Sequence, residues 1–410
     1  MSRELTNDFL LVSRYAEPPS EATLSQALVA ARLGMPTYQA ADPVAGAAHM
    51  RLGTYRLSAP ATTTTLRIVV TRQSTPTLAS MGAGAFAQIT RRLDPEDMQT
   101  LRTGILDFDV RVKAPEEHIA DALRWTMNVL RSLVSLTAGT VVDPAAQTAW
   151  GAQPLSAMAS GRLTDQIAVH DEAWGADSRW LHTHGLQKFG RPELDLAAIP
   201  VALRAEAEAF LRDVAERLAE GERLMAGQEI DLEELGTVVA VSVAPDAEHQ
   251  APFARLRLAD SPAPGARQSA SAGQLLARMA LADAQRRHTT SDVRGALEVI
   301  ERILAADSDD CAALFLKATI LLERGQSHEA LELGELMDLR TPADYRGPLT
   351  VGLALLAIGR SREALNALDR AIEREPEAAQ AFAARAEAYR LLGDERLAAV
   401  DRARAAYLGV

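Results

Sequence analysis

The sequence predicts an α+β N-terminal region, a mainly antiparallel sheet with helices on one face, followed by an all-α array of helical hairpins. Three observations carry this. Short alternating or β-branched runs punctuated by turn formers fill the first 260 residues, with Leu106 to Val112 (LDFDVRV) as the clearest strand. A pattern of small and apolar residues recurs at a 34-residue spacing through the C-terminal third. Between them, residues 261–273 (SPAPGARQSASAG) have the Pro, Gly, Ala and Ser composition of a linker. The expected division is a first α+β half at 1–155, a second at 156–260, the linker, and hairpins at 274–410. The two halves are either related subdomains or contributors to one continuous sheet.

Composition narrows the class. At 410 residues and 48% hydrophobic, the chain is long enough for two or three domains, each with its own core. The formal charge of −12 is spread along it: residues 277–410 carry 18 Arg plus Lys against 22 Asp plus Glu, and the rest 25 against 33. Neither part offers the basic field that neutralises phosphates, which argues against nucleic acid or an anionic membrane as the main partner. No apolar stretch approaches the roughly 20 residues needed to span a bilayer. The N-terminus MSRELTNDFLLVSRY has no small-residue cleavage site, so a cytoplasmic, soluble protein is expected. The lone Cys311 excludes an internal disulfide and a Cys-based zinc site, and reads as a buried, inert thiol on the first helix of a repeat.

In chain order, the apolar run Phe9 to Tyr15 reads as a buried strand, and Pro18, Pro19 and Ser20 cap a helix from Glu21 to Leu33, closed by Gly34. Met50 to Leu57 and Thr65 to Thr71 form a hairpin around Pro60. Leu78 to Thr90 contains Gly82 and Gly84 but lacks the Lys and the Ser or Thr of a phosphate loop, so a flexible connection is expected. After the LDFDVRV strand, Pro115 opens a long amphipathic helix with Ile119, Leu123, Met127, Leu130, Leu133 and Val134 on its core face. Val141 to Trp150 reads as strand, turn at Asp143 and Pro144, and return strand. A second round follows: extended segments Leu163 to Ala173 and Arg179 to Leu186 around a tip at 175–178, a further strand at Glu193 to Ile199, a helix from Pro200 to about Met225, and closing strands Thr237 to Val243 and Phe253 to Leu258.

The stretch His170 to Glu193 (HDEAWGADSRWLHTHGLQKFGRPE) holds three of the eight His and two of the four Trp. In a strand, His182-Thr183-His184 places both imidazoles on one face about 6.5 to 7 Å apart. If Trp174 faces Arg179 across the hairpin, Asp171 lies opposite His182, and two imidazoles and a carboxylate suit a divalent transition metal. A register slipped by one replaces Asp171 with His170 or Glu172. The competing reading is that the imidazoles pack on the sheet and bond to neighbouring acceptors, with Trp180, Leu186 and Phe189 as anchors. There is no HExxH and no GxSxG elbow, and Ser156, Ser160 and Ser242 have no motif that marks a nucleophile. The segment Trp180 to Glu193 is similar to one found in bacterial domains of unknown function. That resemblance implies no activity, and suggests only that the His pair, Gly185, Gly190 and Glu193 act as one unit.

The repeats are clearest at 345–378, where Gly352, Leu355, Gly359, Ala364, Ala371 and Pro376 supply small residues at a helix crossing, an apolar ridge, a turn and a stop. One period earlier stand Ala318, Leu321, Gly325, Ala330 and Pro342, and one later Ala386, Tyr389, Gly393, Ala398 and Ala405. A weaker first copy has Ala284 and Ala296 but Ser291 at the turn. The resulting units, 277–310, 311–344, 345–378 and 379–410, resemble the tetratricopeptide repeat. That resemblance implies a concave face that holds a protein or peptide. On the helical phase, Phe315, Thr319, Leu322, Arg346, Leu349, Leu353, Leu356, Gln380, Ala383, Glu387 and Arg390 line it. The expected function is a cytoplasmic protein-interaction adaptor without a cofactor, its face matched to an amphipathic helix or a segment bearing an acidic group. Docking on the chain's own α+β region, or a homodimer, is the alternative cover. The second function class is a metal-dependent hydrolase centred on His182 and His184, with Asp171.

Overall fold

The computed structural model describes residues 3–30, 33–41, 49–59, 63–158, 162–231, 237–242, 255–260 and 272–409. Most of the linker expected at 261–273 lies outside them, as do Pro60, Ser160 and Phe253. Two sheets belong to one compact unit, and the helical array to a second. The fold is therefore antiparallel sheet with helices, then eight consecutive helices.

The first sheet is built from β1 (Glu4–Ser13), β2 (Thr37–Ala40), β3 (His49–Ser58), β4 (Thr65–Gln73), β5 (Leu106–Pro115), β6 (Thr140–Asp143) and β7 (Thr148–Trp150), in the order β2-β3-β4-β5-β1-β6-β7. Its centre is the antiparallel pair β1 and β5, where Phe9 faces Val110 and Leu11 faces Phe108. All four side chains are buried. Along β1, Leu5, Asn7 and Phe9 point inward between exposed neighbours, the period of two that gives a strand one dry face. The helices of this part are α1 (Glu21–Ala30), α2 (Ala83–Thr90), α3 (Pro95–Thr103), α4 (Ile119–Thr137) and α5 (Ala152–Met158). Helix α4 buries Ile119, Leu123, Met127, Leu130, Leu133 and Val134 as its spacing predicts. It ends at Ala138 with φ +44°, and at the following Gly139 an added Cβ would stand 2.7 Å from the Val12 carbonyl oxygen.

Two expectations need correction here. The segment 77–90 is not a flexible connection: after a 3₁₀ turn at Thr77–Ser80, α2 forms because Phe86 and Ile89, three residues apart, pack with Leu78 on Val12, Leu101, Val142 and Ala149. Gly82 is simply its N-cap. The helix expected from Pro200 to Met225 is α6 (Arg204–Ala219), entered through a 3₁₀ turn at Val201–Leu203 and stopped near Gly221, which has φ +122°.

The second sheet comprises β8 (Ala168–Ala173), β9 (Ser178–His184), β10 (Glu193–Pro200), β11 (Glu229–Asp231), β12 (Thr237–Ser242) and β13 (Arg255–Asp260), in the order β11-β12-β13-β10-β9-β8. Strands β11 and β12, β12 and β13, and β8 and β9 pair antiparallel, whereas β10 and β13 run parallel, with Asp195 beside Arg257. These are two separate sheets, not one continuous one.

The array runs through α7 (Ala272–Thr289), α8 (Val293–Ala306), α9 (Cys311–Glu323), α10 (Ser327–Arg340), α11 (Arg346–Ile358), α12 (Ser361–Arg374), α13 (Ala379–Leu391) and α14 (Glu395–Tyr407). The connections within three hairpins turn on Gly325, Gly359 and Gly393, at φ +76°, +86° and +85°. In the first hairpin Ser291 holds the same left-handed conformation, φ +66°. Glycine is demanded at these turns by the backbone: a Cβ at Gly359 would touch nothing within 4 Å. The tight spot is the crossing, where a Cβ at Gly352 would stand 2.5 Å from Leu368 Cγ.

Two substitutions separate conformation from space. Ser291→Gly is expected to raise stability by roughly 0.5 to 1 kcal/mol by relieving the left-handed backbone, whereas Gly359→Ala lowers it by roughly 1 to 2 kcal/mol. Chemical-denaturation midpoints check both. An unchanged midpoint for Ser291→Gly would show that the first turn bears no conformational strain.

Candidate functional site

The β8–β9 hairpin turns at Gly175, φ +76°, and closes with the Trp174 N–H donating to the Ser178 carbonyl at 2.8 Å. Its register pairs His170 with His182, Glu172 with Trp180 and Ala168 with His184. This is one residue away from the register that sets Asp171 opposite His182. Because successive strand residues face opposite sides, that single step changes the site's membership. Asp171 pairs with Leu181 on the other face, where the Arg179 Nε donates to its carboxylate at 2.6 Å. His170 takes its place.

Three imidazoles therefore share one face. Ring centroids lie 5.6 Å apart for His170 and His182, 4.5 Å for His170 and His184, and 5.0 Å for His182 and His184. His182 is 2% exposed and lies over Trp180 at 4.1 Å, while His170 and His184 are half-buried. Glu172 Oε1 stands 3.8 Å from His182 Nε2. Helix α2 brings Gln88 to the group, its side-chain amide 2.6 Å from His170 Nδ1. Burial, helped by the nearby cations Arg91, Arg92 and Arg255, holds the His170 pKa below its ordinary value and favours the neutral ring. A cleft of about 330 Å³ runs beside it, lined by Gln88, Arg91, Arg92, His170 and Glu172 among others.

The other face of β9 belongs to the scaffold. Thr183, between the two histidines, donates to Glu193 Oε2 at 2.7 Å and accepts from the Leu194 N–H at 2.8 Å. Glu193 also accepts from the N–H groups of Gly185 at 2.8 Å and Gln187 at 3.3 Å. It is a wholly buried carboxyl that ties down the turn after the strand. Burial pushes its pKa up against the pull of these hydrogen bonds. Gly185 has φ +113°, and an added Cβ would lie 2.9 Å from the Gln166 carbonyl oxygen. Within the turn, Lys188 is buried, its ammonium donating to the Asp143 carboxylate and to the Gln166 carbonyl at 2.6 Å. The Asn7 side chain donates to the Lys188 carbonyl at 3.0 Å. Asp143 in turn accepts from the N–H groups of Ala145 at 3.0 Å and Ala146 at 3.1 Å. Sequence reasoning missed this pair, whose partners are 45 positions apart. The available signal was Lys188 itself, an ammonium among apolar neighbours in a chain with three lysines.

In the array, Phe315, Thr319, Leu322, Arg346, Leu353 and Leu356 are half-buried, and Gln380, Glu387 and Arg390 are exposed. Leu349 is corrected: it is fully buried in the core formed with Leu355, Ala364 and Leu368, so it lines no surface. Arg390 is held by Glu387 at 2.7 and 2.5 Å, and Arg346 by Asp344 at 3.4 Å. Cys311 is half-buried, with Sγ 2.9 Å from Thr341 Oγ1, and burial pushes its pKa up, which disfavours the reactive thiolate.

Two outcomes follow from the buried carboxyls. Lys188→Met should cost about 3 to 5 kcal/mol, because it leaves Asp143 charged in the interior, and a denaturation midpoint near the parent's would contradict this. The folded chain holds the Glu193 proton more tightly than the unfolded chain does. Parental stability should therefore fall as pH rises from the ordinary glutamate value, about 4.3, toward the raised folded value. Glu193→Gln removes that titration, so the variant should gain on the parent across the window. Parallel stability–pH curves would show that Glu193 is ionised in both states.

No family model matches the chain, and no curated protein matches it. Among solved structures, TTC0263, a thermophilic TPR protein of Thermus thermophilus, is 26% identical, over 32% of this chain and 74% of that one, with a TM-score of 0.31. MamA AMB-1 is 22% identical over 32% of this chain and 78% of its own, at a TM-score of 0.27. MamA from Desulfovibrio magneticus is 20% identical over 32% and 75%, at 0.28. Among the described residues, no helix is long and apolar enough to cross a membrane. These structures do not support the metal-dependent hydrolase, and each covers about a third of this chain.

Proposed function

We propose that the chain is a cytoplasmic adaptor that holds a segment of another protein on its helical-hairpin array. The supporting observation is the division of labour along the first helices of the hairpins. Helix α11 buries Leu349, Val351, Ala354 and Leu355 in the array's own core and leaves Leu353 and Leu356 half-buried. Phe315 on α9 is in the same state, and Gln380, Glu387 and Arg390 on α13 are open to solvent. An apolar strip with a polar end suits the apolar face of an amphipathic helix, whose i, i+3, i+4 anchors would meet the leucines. Because Glu387 and Asp344 already engage Arg390 and Arg346, charge contributes less than apolar contact, and an acidic group on the partner would compete with those carboxylates.

The test uses the full chain as bait against its own cell extract, followed by titration of each captured protein in purified form. Leu353→Glu with Leu356→Glu should weaken binding by at least about tenfold, the effect of removing one well-packed anchor. Equal binding by the variant, or self-association of the chain as the sole interaction, would overturn the adaptor reading in favour of a surface that covers itself.

A further inference from the structure

We propose that His170, His182 and His184 form a binding site for one divalent transition metal of zinc's class, with Glu172 as the adjoining carboxylate. The reading is independent of the adaptor function and rests on the hairpin register and the spacing of the rings. A cross-strand pair and its neighbour two residues along are the three positions of an antiparallel ribbon whose side chains converge on one side. One nitrogen from each ring lies within 4.8 Å of the others. In a tetrahedral zinc site, with metal–nitrogen bonds of about 2.0 to 2.1 Å, ligand nitrogens sit roughly 3.3 Å apart. Every pair lies within 4.8 Å, so gathering the three nitrogens onto one ion takes at most about 1.5 Å per pair.

The surroundings orient the rings. Gln88 lies against His170 Nδ1 and sets the ring's direction. Trp180 fixes the plane of His182 by stacking. Glu172, 3.8 Å from His182 Nε2, is at the range from which a carboxylate completes a fourth position or orients a ligand. The cleft along Gln88, His170 and Glu172 gives an ion an entry path.

The experiment is metal analysis of the untagged full chain after dialysis against Zn²⁺, with Co²⁺ titration followed by visible absorption as a second readout. The expected result is one Zn²⁺ per chain and a tetrahedral Co²⁺ spectrum that fades as acid protonates the imidazoles. His170→Ala and His184→Ala, at half-buried positions that spare the core, should each weaken binding by more than about tenfold. Gln88→Ala should weaken it by about tenfold, as expected for an orienting residue. Asp171→Asn, on the opposite face, should leave binding unchanged. Circular dichroism confirms that each variant is folded. Sub-stoichiometric Zn²⁺ in the folded parent, retention of metal by folded His170→Ala, or loss of it in folded Asp171→Asn would each overturn the proposal.

Discussion

The constraint on which the N-terminal architecture depends is the buried pair of Lys188 and Asp143. Two charges at 1% and 0% side-chain exposure are tolerable only because each has further partners: the Gln166 carbonyl for the ammonium, two backbone N–H groups for the carboxylate. Those partners tie together elements of both sheets, since Asp143 ends β6 and Lys188 lies in the turn between β9 and β10. The rings of Phe9 and Trp150, 5.7 and 5.8 Å away, complete the enclosure. A pair of this kind is a poor source of net stability, because the cost of desolvating both charges offsets their attraction. Any shift of the turn against the first sheet would strand a charge in a dry interior.

From that anchor, order is passed along the strand before it. Glu193 gathers the N–H groups of the turn and the hydroxyl of Thr183, and Thr183 stands between His182 and His184. One short strand thereby serves two masters: Thr183 is bound into the scaffold on one face, and on the other His182 is held buried and His184 half-buried. The His-Thr-His triplet is an instance of strand parity used to convert a rigid turn into a preorganised surface.

What the sequence made legible was set by range. The 34-residue period is local and repeated, so helices, turns and crossing residues of the array were readable from Gly352, Gly359 and Ala364, although helical phase alone misassigned Leu349, whose neighbours across the bundle close over it. The strands around LDFDVRV were readable for the same reason. Helix α2 was not, because Gly82 and Gly84 masked the Phe86 and Ile89 pair that packs it down. The site was half legible. His182 and His184 follow from strand parity, but choosing His170 over Asp171 needs the register, and register is decided by the tip at Gly175 and by contacts of Trp180 and Thr183 with a strand still to come. Lys188 with Asp143, and Glu193 with its turn, are long-range relations between single residues and leave no periodic trace.

The enclosure of Lys188 has a practical corollary for amine chemistry. The chain has three lysines, and the other two, Lys113 and Lys317, keep 47% and 29% of their side-chain surface. An acylating reagent therefore meets two open lysine addresses and one that opens only when the turn parts from the first sheet. The rate at which Lys188 is labelled is then a built-in clock for that local opening, readable by mass spectrometry without any engineered probe.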